Sequence, residues 1–361
     1  MAKQIVNEYA PDEVSHPGET LLDVLEERGM SQAELADRTG RPKKIINEII
    51  KGKLGISPET AIQLERSLGV PASFWNKRQQ EYDESVARRT ERDKLQQHLT
   101  WLSNFPVSAM VKAGYVTPGS DRIERLRGVL NFFGVASPEA FDRYQGMVQV
   151  QYRQSARFDA DRFALAAWLR RGELLAQRME CGPFSRQALR GRLGGVRRLT
   201  VLSPEDFVPR LQRICSEAGV AVVFVPELPK IRAYGATYWL GNRAVIQLCL
   251  RGKKDDVLWF TFFHEVGHLL LHGRKRAIFL EVEEKTGTEE EEADHFASEI
   301  LIRKKDLDAF VRATPRLSAA AITRFAEAQG IAPGIVVGQL HYFGYAPFDH
   351  FQRLRQTLAW R

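Results

Sequence analysis

Between Gly18 and Asn76 apolar residues recur at helical spacing, and glycines and prolines cut the pattern into short pieces. Leu21, Leu22 and Leu25 share one face of a first helix, Gly18–Arg28, that stops at Gly29. Ser31 and Glu34 have the spacing of a capping box and open a second, Gln32–Thr39, which turns Leu35 and Ala36 inward and ends at Gly40. Pro42 suits a first helical turn and starts a third, running to Lys51 with Ile45, Ile46, Ile49 and Ile50 inward. Ser57-Pro58 opens a fourth helix ending at Leu68-Gly69, and Pro71 opens another. Residues 81–95 are charged and helical in pattern, which predicts a linker. Residues 96–215 read as helical, broken near Thr117-Pro118-Gly119, Ser137-Pro138 and Cys181-Gly182-Pro183. The period then changes: Val220–Val225, Ala233–Leu240 and Ala244–Leu250 read as strands, and helices return from Asp256 to the end. The pattern predicts a mainly α protein with a small β-sheet. Its domains would be a helical bundle at 1–80, a linker at 81–95, a helical middle at 96–204 and an α+β domain at 205–361.

With 361 residues the chain has room for two or three cores. It has no apolar run of about eighteen residues, and its first residues carry no apolar signal core, so we expect a cytoplasmic protein with no membrane partner. The three cysteines, Cys181, Cys215 and Cys249, are odd in number and far apart, which fits neither a disulfide framework nor a cysteine-rich metal site. No phosphate-binding glycine loop and no Ser-His-Asp arrangement stands out. The net charge of +7 is uneven: residues 1–94 hold 15 basic and 17 acidic residues, residues 95–215 hold 18 and 10. Arginine-rich helices of that kind are more often plain solvated faces than binding surfaces.

The second and third helices, joined at Gly40-Arg41, have the layout in which a recognition helix enters the major groove of duplex DNA. Lys43, Lys44 and Asn47 face away from the isoleucines and would reach base edges; Gln32 and Lys51 suit phosphates. The plainer alternative is a small helical bundle with a charged face, but the turn length, the caps and the basic residues agree on DNA.

A second constellation is chemical. His264 and His268 are four residues apart, about 6 Å of rise and roughly 40° of rotation in a helix, so both imidazoles leave one face at the spacing one zinc ion needs. Glu265 stands where a carboxylate can act as general base on water. A catalytic zinc takes three protein ligands. Residue 274 is Arg, which excludes the longer three-histidine signature. Glu290 is the best third ligand, with Asp294 four residues on to orient an imidazole; Glu291 remains open, and some of Glu289–Glu292 must serve only as a solvated helix start. His272 lies too far along the helix to join His264, which leaves it a packing or supporting role. Tyr234, Tyr238 and His341 are candidates for a further donor to a reacting oxygen.

Phe260-Thr261-Phe262-Phe263-His264-Glu265-Val266-Gly267-His268-Leu269-Leu270-Leu271-His272, followed by Glu290 to Leu301, resembles the ImmA/IrrE-type metallopeptidases over about residues 205–345. The resemblance implies a thermolysin-like zinc core, with His264, His268 and Glu290 as ligands and Glu265 as base, and substrates that are repressor proteins. The family's usual Pro is missing at Leu301-Ile302-Arg303. His16-Pro17-Gly18-Glu19 through Phe74-Trp75 resembles HigA-type antitoxins and XRE-family DNA-binding domains over about residues 12–83. That likeness implies a homodimer on a palindromic operator and, in some relatives, a toxin partner. Together the two imply a DNA-bound regulator with a zinc endopeptidase that cuts a repressor, an antitoxin or itself. The alternative is an antitoxin-like or ligand-sensing repressor whose zinc domain is non-catalytic.

Overall fold

The computed structural model describes residues 14–144, 161–273, 278–282 and 287–359. Residues 1–13 of the expected first domain and 145–160 of the expected middle lie outside them. The chain forms two compact units, Met1–Leu99 and Thr100–Arg361.

The described residues of the first unit form five helices: α1 (Pro17–Glu27), α2 (Gln32–Thr39), α3 (Lys43–Ile50), α4 (Pro58–Leu68) and α5 (Ala72–Gln97). Leu21, Leu25, Leu35, Ile46, Ile49, Leu64, Leu68 and Trp75 make its core, while Ile45 and Ile50 are half-buried. Ser31 Oγ accepts the Glu34 N–H at 3.1 Å, and Gly40 ends α2 in the left-handed region. The His16-Pro17-Gly18 start also has a mechanical reason. His16 Nδ1 caps α1 by accepting the Gly18 N–H at 2.9 Å, and a side chain at Gly18 would sit 1.9 Å from the Ile49 carbonyl oxygen. Residues 81–95 continue α5 without a break, so the helix opened by Pro71 and the charged stretch are one element.

In the second unit, helices α6 (Val107–Lys112), α7 (Arg122–Phe133), α8 (Arg162–Gln177), α9 (Arg186–Arg197) and α10 (Pro204–Ser216) precede a sheet of β1 (Val220–Phe224), β2 (Ala233–Leu240), β3 (Arg243–Leu248) and β4 (Ile278–Val282). The order is β1-β3-β2-β4, with β1 parallel to β3 and the other pairs antiparallel. β4 corrects the expectation that only helices follow Asp256. It is five residues long, and its signal was lost beside a charged stretch. Then come α11 (Asp255–Gly267), which precedes β4, and α12 (Thr288–Leu301), α13 (Lys304–Ala313), α14 (Ala319–Gln329) and α15 (Pro333–Tyr342).

The sheet is covered on both faces, which is why β1 is buried nearly throughout. On one face, Ala244, Ile246 and Leu248 join Trp259, Phe262, Phe263 and Val266 of α11. On the other, Gln247 donates to the Trp168 carbonyl of α8 at 2.8 Å, and Gly172 of α8 leaves room for the Gln247 side chain. The helices after residue 100 therefore belong to the same unit as residues 205–359. The α14–α15 hairpin packs Ile322, Ala326, Ile335, Val336 and Leu340 into that core. At Leu301-Ile302-Arg303 the helix ends without a proline: Ile302 is extended and Arg303 starts α13.

Candidate metal centre

Two helices build the site. α11 enters it carrying a dense apolar load, and Gly267 lets α12 approach so closely that a methyl group there would lie 3.1 Å from Ala293 Cα. That approach brings Glu290 to the histidines. His264 Nε2 is 3.2 Å from Glu290 Oε2, His268 Nε2 is 3.6 Å from Glu290 Oε1, and the two Nε2 atoms are 3.0 Å apart. His264, His268 and Glu290 each offer one atom to a cluster that spans no more than 4.8 Å. Glu291 is exposed and stays out of it.

His264 Nδ1 is 2.7 Å from Asp294 Oδ1. A carboxylate only accepts, so this ring carries its proton on Nδ1 and turns the Nε2 lone pair toward His268 and Glu290. Three electron-pair donors then converge, an arrangement that a cation satisfies, and two imidazoles with one carboxylate are a donor set that zinc accepts. Burial pushes the His268 pKa down, which favours the neutral ring a metal needs. Burial alone would raise that of Glu290, but its contacts with the His264 and His268 rings outweigh it and hold the carboxyl well below the usual range.

Glu265 is fully buried on the same helix. Its carboxylate lies against β2, where a side chain on Gly235 would stand 2.8 Å from Glu265 Oε1, and Thr237 Oγ1 donates to the Glu265 carbonyl at 3.3 Å. The sequence alone does not single out Gly235, and a lone glycine in a strand is its only trace there. Tyr238 and His341, two of the candidate donors to a reacting oxygen, lie elsewhere. Tyr238 donates to Gln247 on the α8 face, and His341 Nε2 meets the His350 carbonyl. Tyr234 instead lines a cavity of ≈ 540 Å³ with Val257, Phe260, Thr261, Asp294 and Tyr342. Phe260 and Thr261 are one turn before His264 and Glu265, so this cavity opens beside the candidate centre.

In the first unit Lys43, Lys44 and Lys51 are exposed and Asn47 and Gln32 half-exposed. Lys44 lies 3.8 Å from Glu48 on the same face. All three cysteines are free thiols, with Cys215 and Cys249 buried.

Fold and site thus define a chain that joins a helix-turn-helix domain to a metallopeptidase-type domain. The Helix-turn-helix family matches residues 21–75, and the IrrE N-terminal-like domain family matches residues 215–327. Virulence-associated protein A of Dichelobacter nodosus is 38% identical over 69 residues, covering 19% of this chain and 68% of that protein. Virulence-associated protein I of the same organism is 38% identical over 80 residues, 22% of this chain and 71% of that protein. At 38% identity over about two thirds of their length, the chain belongs to the family of these two proteins, and it carries the helix-turn-helix and IrrE-like matches in separate stretches. Similar solved structures include a HigA-family addiction module antidote protein from Coxiella burnetii, at 28% identity over 24% of this chain and 94% of that one, TM-score 0.22. Another is the Pseudomonas aeruginosa antitoxin HigA with the higBA promoter, at 32% identity over 24% and 94%, TM-score 0.23. Among the described residues no helix is long and apolar enough to cross a membrane.

Proposed function

We propose that this chain is a DNA-binding regulator whose C-terminal domain is a zinc-dependent endopeptidase acting on a protein: a repressor, an antitoxin or another copy of itself. The observation that carries the reading is the convergence of Glu290 of α12 on His264 and His268, the two histidines that flank Glu265 in sequence. Zinc, when bound there, would supply a Lewis acid that polarises the scissile carbonyl and acidifies water. Glu265 takes the proton of the attacking water and returns it to the leaving amine. Asp294 holds the His264 ring in the tautomer that ligates. The cavity between α11, α12 and α15, walled by Val257, Phe260, Leu301 and Ile335, receives an apolar side chain of the substrate next to the bond that is cut. Of the three candidate donors Tyr234, Tyr238 and His341, Tyr234 is the one on its wall, and it would steady the developing oxyanion.

The N-terminal domain would bring this activity to duplex DNA. Lys43, Lys44 and Asn47 on α3 read base edges, Gln32 and Lys51 meet phosphates, and two copies of the chain bind a palindromic operator. A toxin would be a partner for the same domain. The buried carboxylate of Glu265 beside a complete ligand set favours catalysis over a purely structural metal. The test is to incubate the zinc-loaded full chain with bacterial extract and map new protein N-termini. Wild type should create a small, reproducible set that includes any self-cleavage site, and Glu265→Gln should create none. Equal sets from both proteins would refute the catalytic reading.

A further inference from the structure

The two histidine rings of the candidate centre are held by different means. His264 leans directly on a carboxylate, Asp294. His268 does not. Its Nδ1 lies 3.0 Å from Nδ1 of His272, and His272 Nε2 lies 2.9 Å from Glu292 Oε2. Both rings are buried, while Glu292 is 62% exposed, so the chain of contacts runs from the metal ligand to the surface.

The direction of each hydrogen bond follows from what the ends require. Two imidazole nitrogens in contact share one proton, with one ring donating and the other accepting. His268 has to keep Nε2 as an electron-pair donor to serve beside His264 and Glu290, so its proton sits on Nδ1. His272 Nδ1 is then the acceptor, and the His272 proton sits on Nε2, where the Glu292 carboxylate accepts it. Every member has a partner of the right kind, and no alternative set of tautomers leaves His268 able to ligate. The backbone is shaped for the contact: residues His268–His272 form a π-helical turn, a form that recurs at functional sites, closed by Gly273 at φ 61°.

We propose that His272 and Glu292 form a relay that positions His268 and strengthens it as a metal donor. His272 is a positioning residue and not a ligand, and this role rests on the zinc reading of the centre. An orienting carboxylate carried through a second ring does for His268 what Asp294 does for His264.

The experiment uses the full-length protein and zinc alone, with affinity measured by competition against a chromophoric chelator. His272→Ala should weaken zinc binding about 10- to 100-fold. Glu292→Ala should weaken it in the same direction by less, since water replaces an exposed acceptor, and Glu292→Gln, which keeps an acceptor oxygen, should recover part of the loss. Nitrogen-15 spectra of histidine-labelled wild type should show His268 protonated on Nδ1 and His272 on Nε2, with the His272 Nε2–H signal moving in Glu292→Ala. A His272 ring protonated on Nδ1 would overturn the relay, as would a Glu292→Ala protein with wild-type affinity and unchanged ring signals. Because Glu292 is exposed, that variant keeps the test decisive even where His272→Ala fails to fold. A wild type that binds no zinc would remove the metal reading itself, whereas zinc binding indifferent to both residues would remove only the relay.

Discussion

At Gly235 a hydrogen atom stands where any other residue would put a methyl group 2.7 Å from Thr261 Cγ2 and 2.8 Å from Glu265 Oε1. Gly235→Ala should therefore push the Glu265 carboxylate, and with Glu265 as the proposed general base, a displacement of that kind lowers turnover on the order of 100-fold. Zinc content should stay at the wild-type level, so the new N-termini in the extract assay would diminish while the metal stays bound. Asp255, at the start of α11, poses a different question. Burial, reinforced by the charge of Asp256, raises its pKa from 3.8 to about 6. A carboxyl raised on folding favours the native state fully below pH 3.8, and that advantage is lost as the pH climbs through 6. Asp255→Asn should thus raise stability at pH 8 by on the order of 2–3 kcal/mol and leave it unchanged below about pH 4, as thermal or urea unfolding at the two pH values would show. An equal effect at both would mean that the carboxyl is not strained by burial. The residues that sequence made legible are those tied by covalent spacing: His264, Glu265 and His268 share one helical turn. Glu290 was legible less directly, through its i, i+4 relation to Asp294, the apolar Ala293, Phe296, Ala297 and Ile300 of its helix, and the family resemblance. Gly235 and Glu292 act across space from other segments, and nothing in their own neighbourhoods announces it.

At the scale of elements, the crossing of α11 and α12 sets the separation between the histidines and Glu290. Gly267→Val would force Ala293 and Phe296 away, lowering both the melting temperature and the zinc affinity together. Reduced stability with unchanged affinity would show that the crossing does not fix the ligand distance. On α3, removing Lys43 and Lys44 together should weaken binding to the operator more than to unrelated duplex, as base-edge contacts require, whereas Lys51→Ala should weaken both and reduce the slope of log affinity against log salt by about one. An equal loss on both duplexes without Lys43 and Lys44 would assign that pair to phosphates instead. The helices of the first unit were readable because each carries its own punctuation: Ser31, Gly40, Ser57-Pro58 and Gly69 stand where the caps stand. β4 was not, because a five-residue edge strand is identified by the partner it pairs with, here β2, more than by its own composition.

At the scale of the molecule, the described residues of the basic stretch between 95 and 215 are mostly helices of the unit that holds the sheet. Arg170 reaches the Phe132 carbonyl at 3.0 Å, Arg192 that of Ala188 at 3.1 Å, and Arg197 those of Leu301 and Gln329. Several of the arginines are thus structural, capping backbone oxygens within one unit, and the local charge pattern could not say so because their partners lie up to 132 residues away. The central claim concerns the candidate centre built by α11 and α12. It is tested most directly by elemental analysis of purified full-length wild type, His264→Ala and Glu265→Gln after zinc loading and dialysis. The account predicts about one zinc per chain in wild type and Glu265→Gln and little in His264→Ala, since the alanine removes a ligand ring whereas the glutamine leaves all three ligands in place. Wild type without zinc, or equal zinc in His264→Ala, would contradict it.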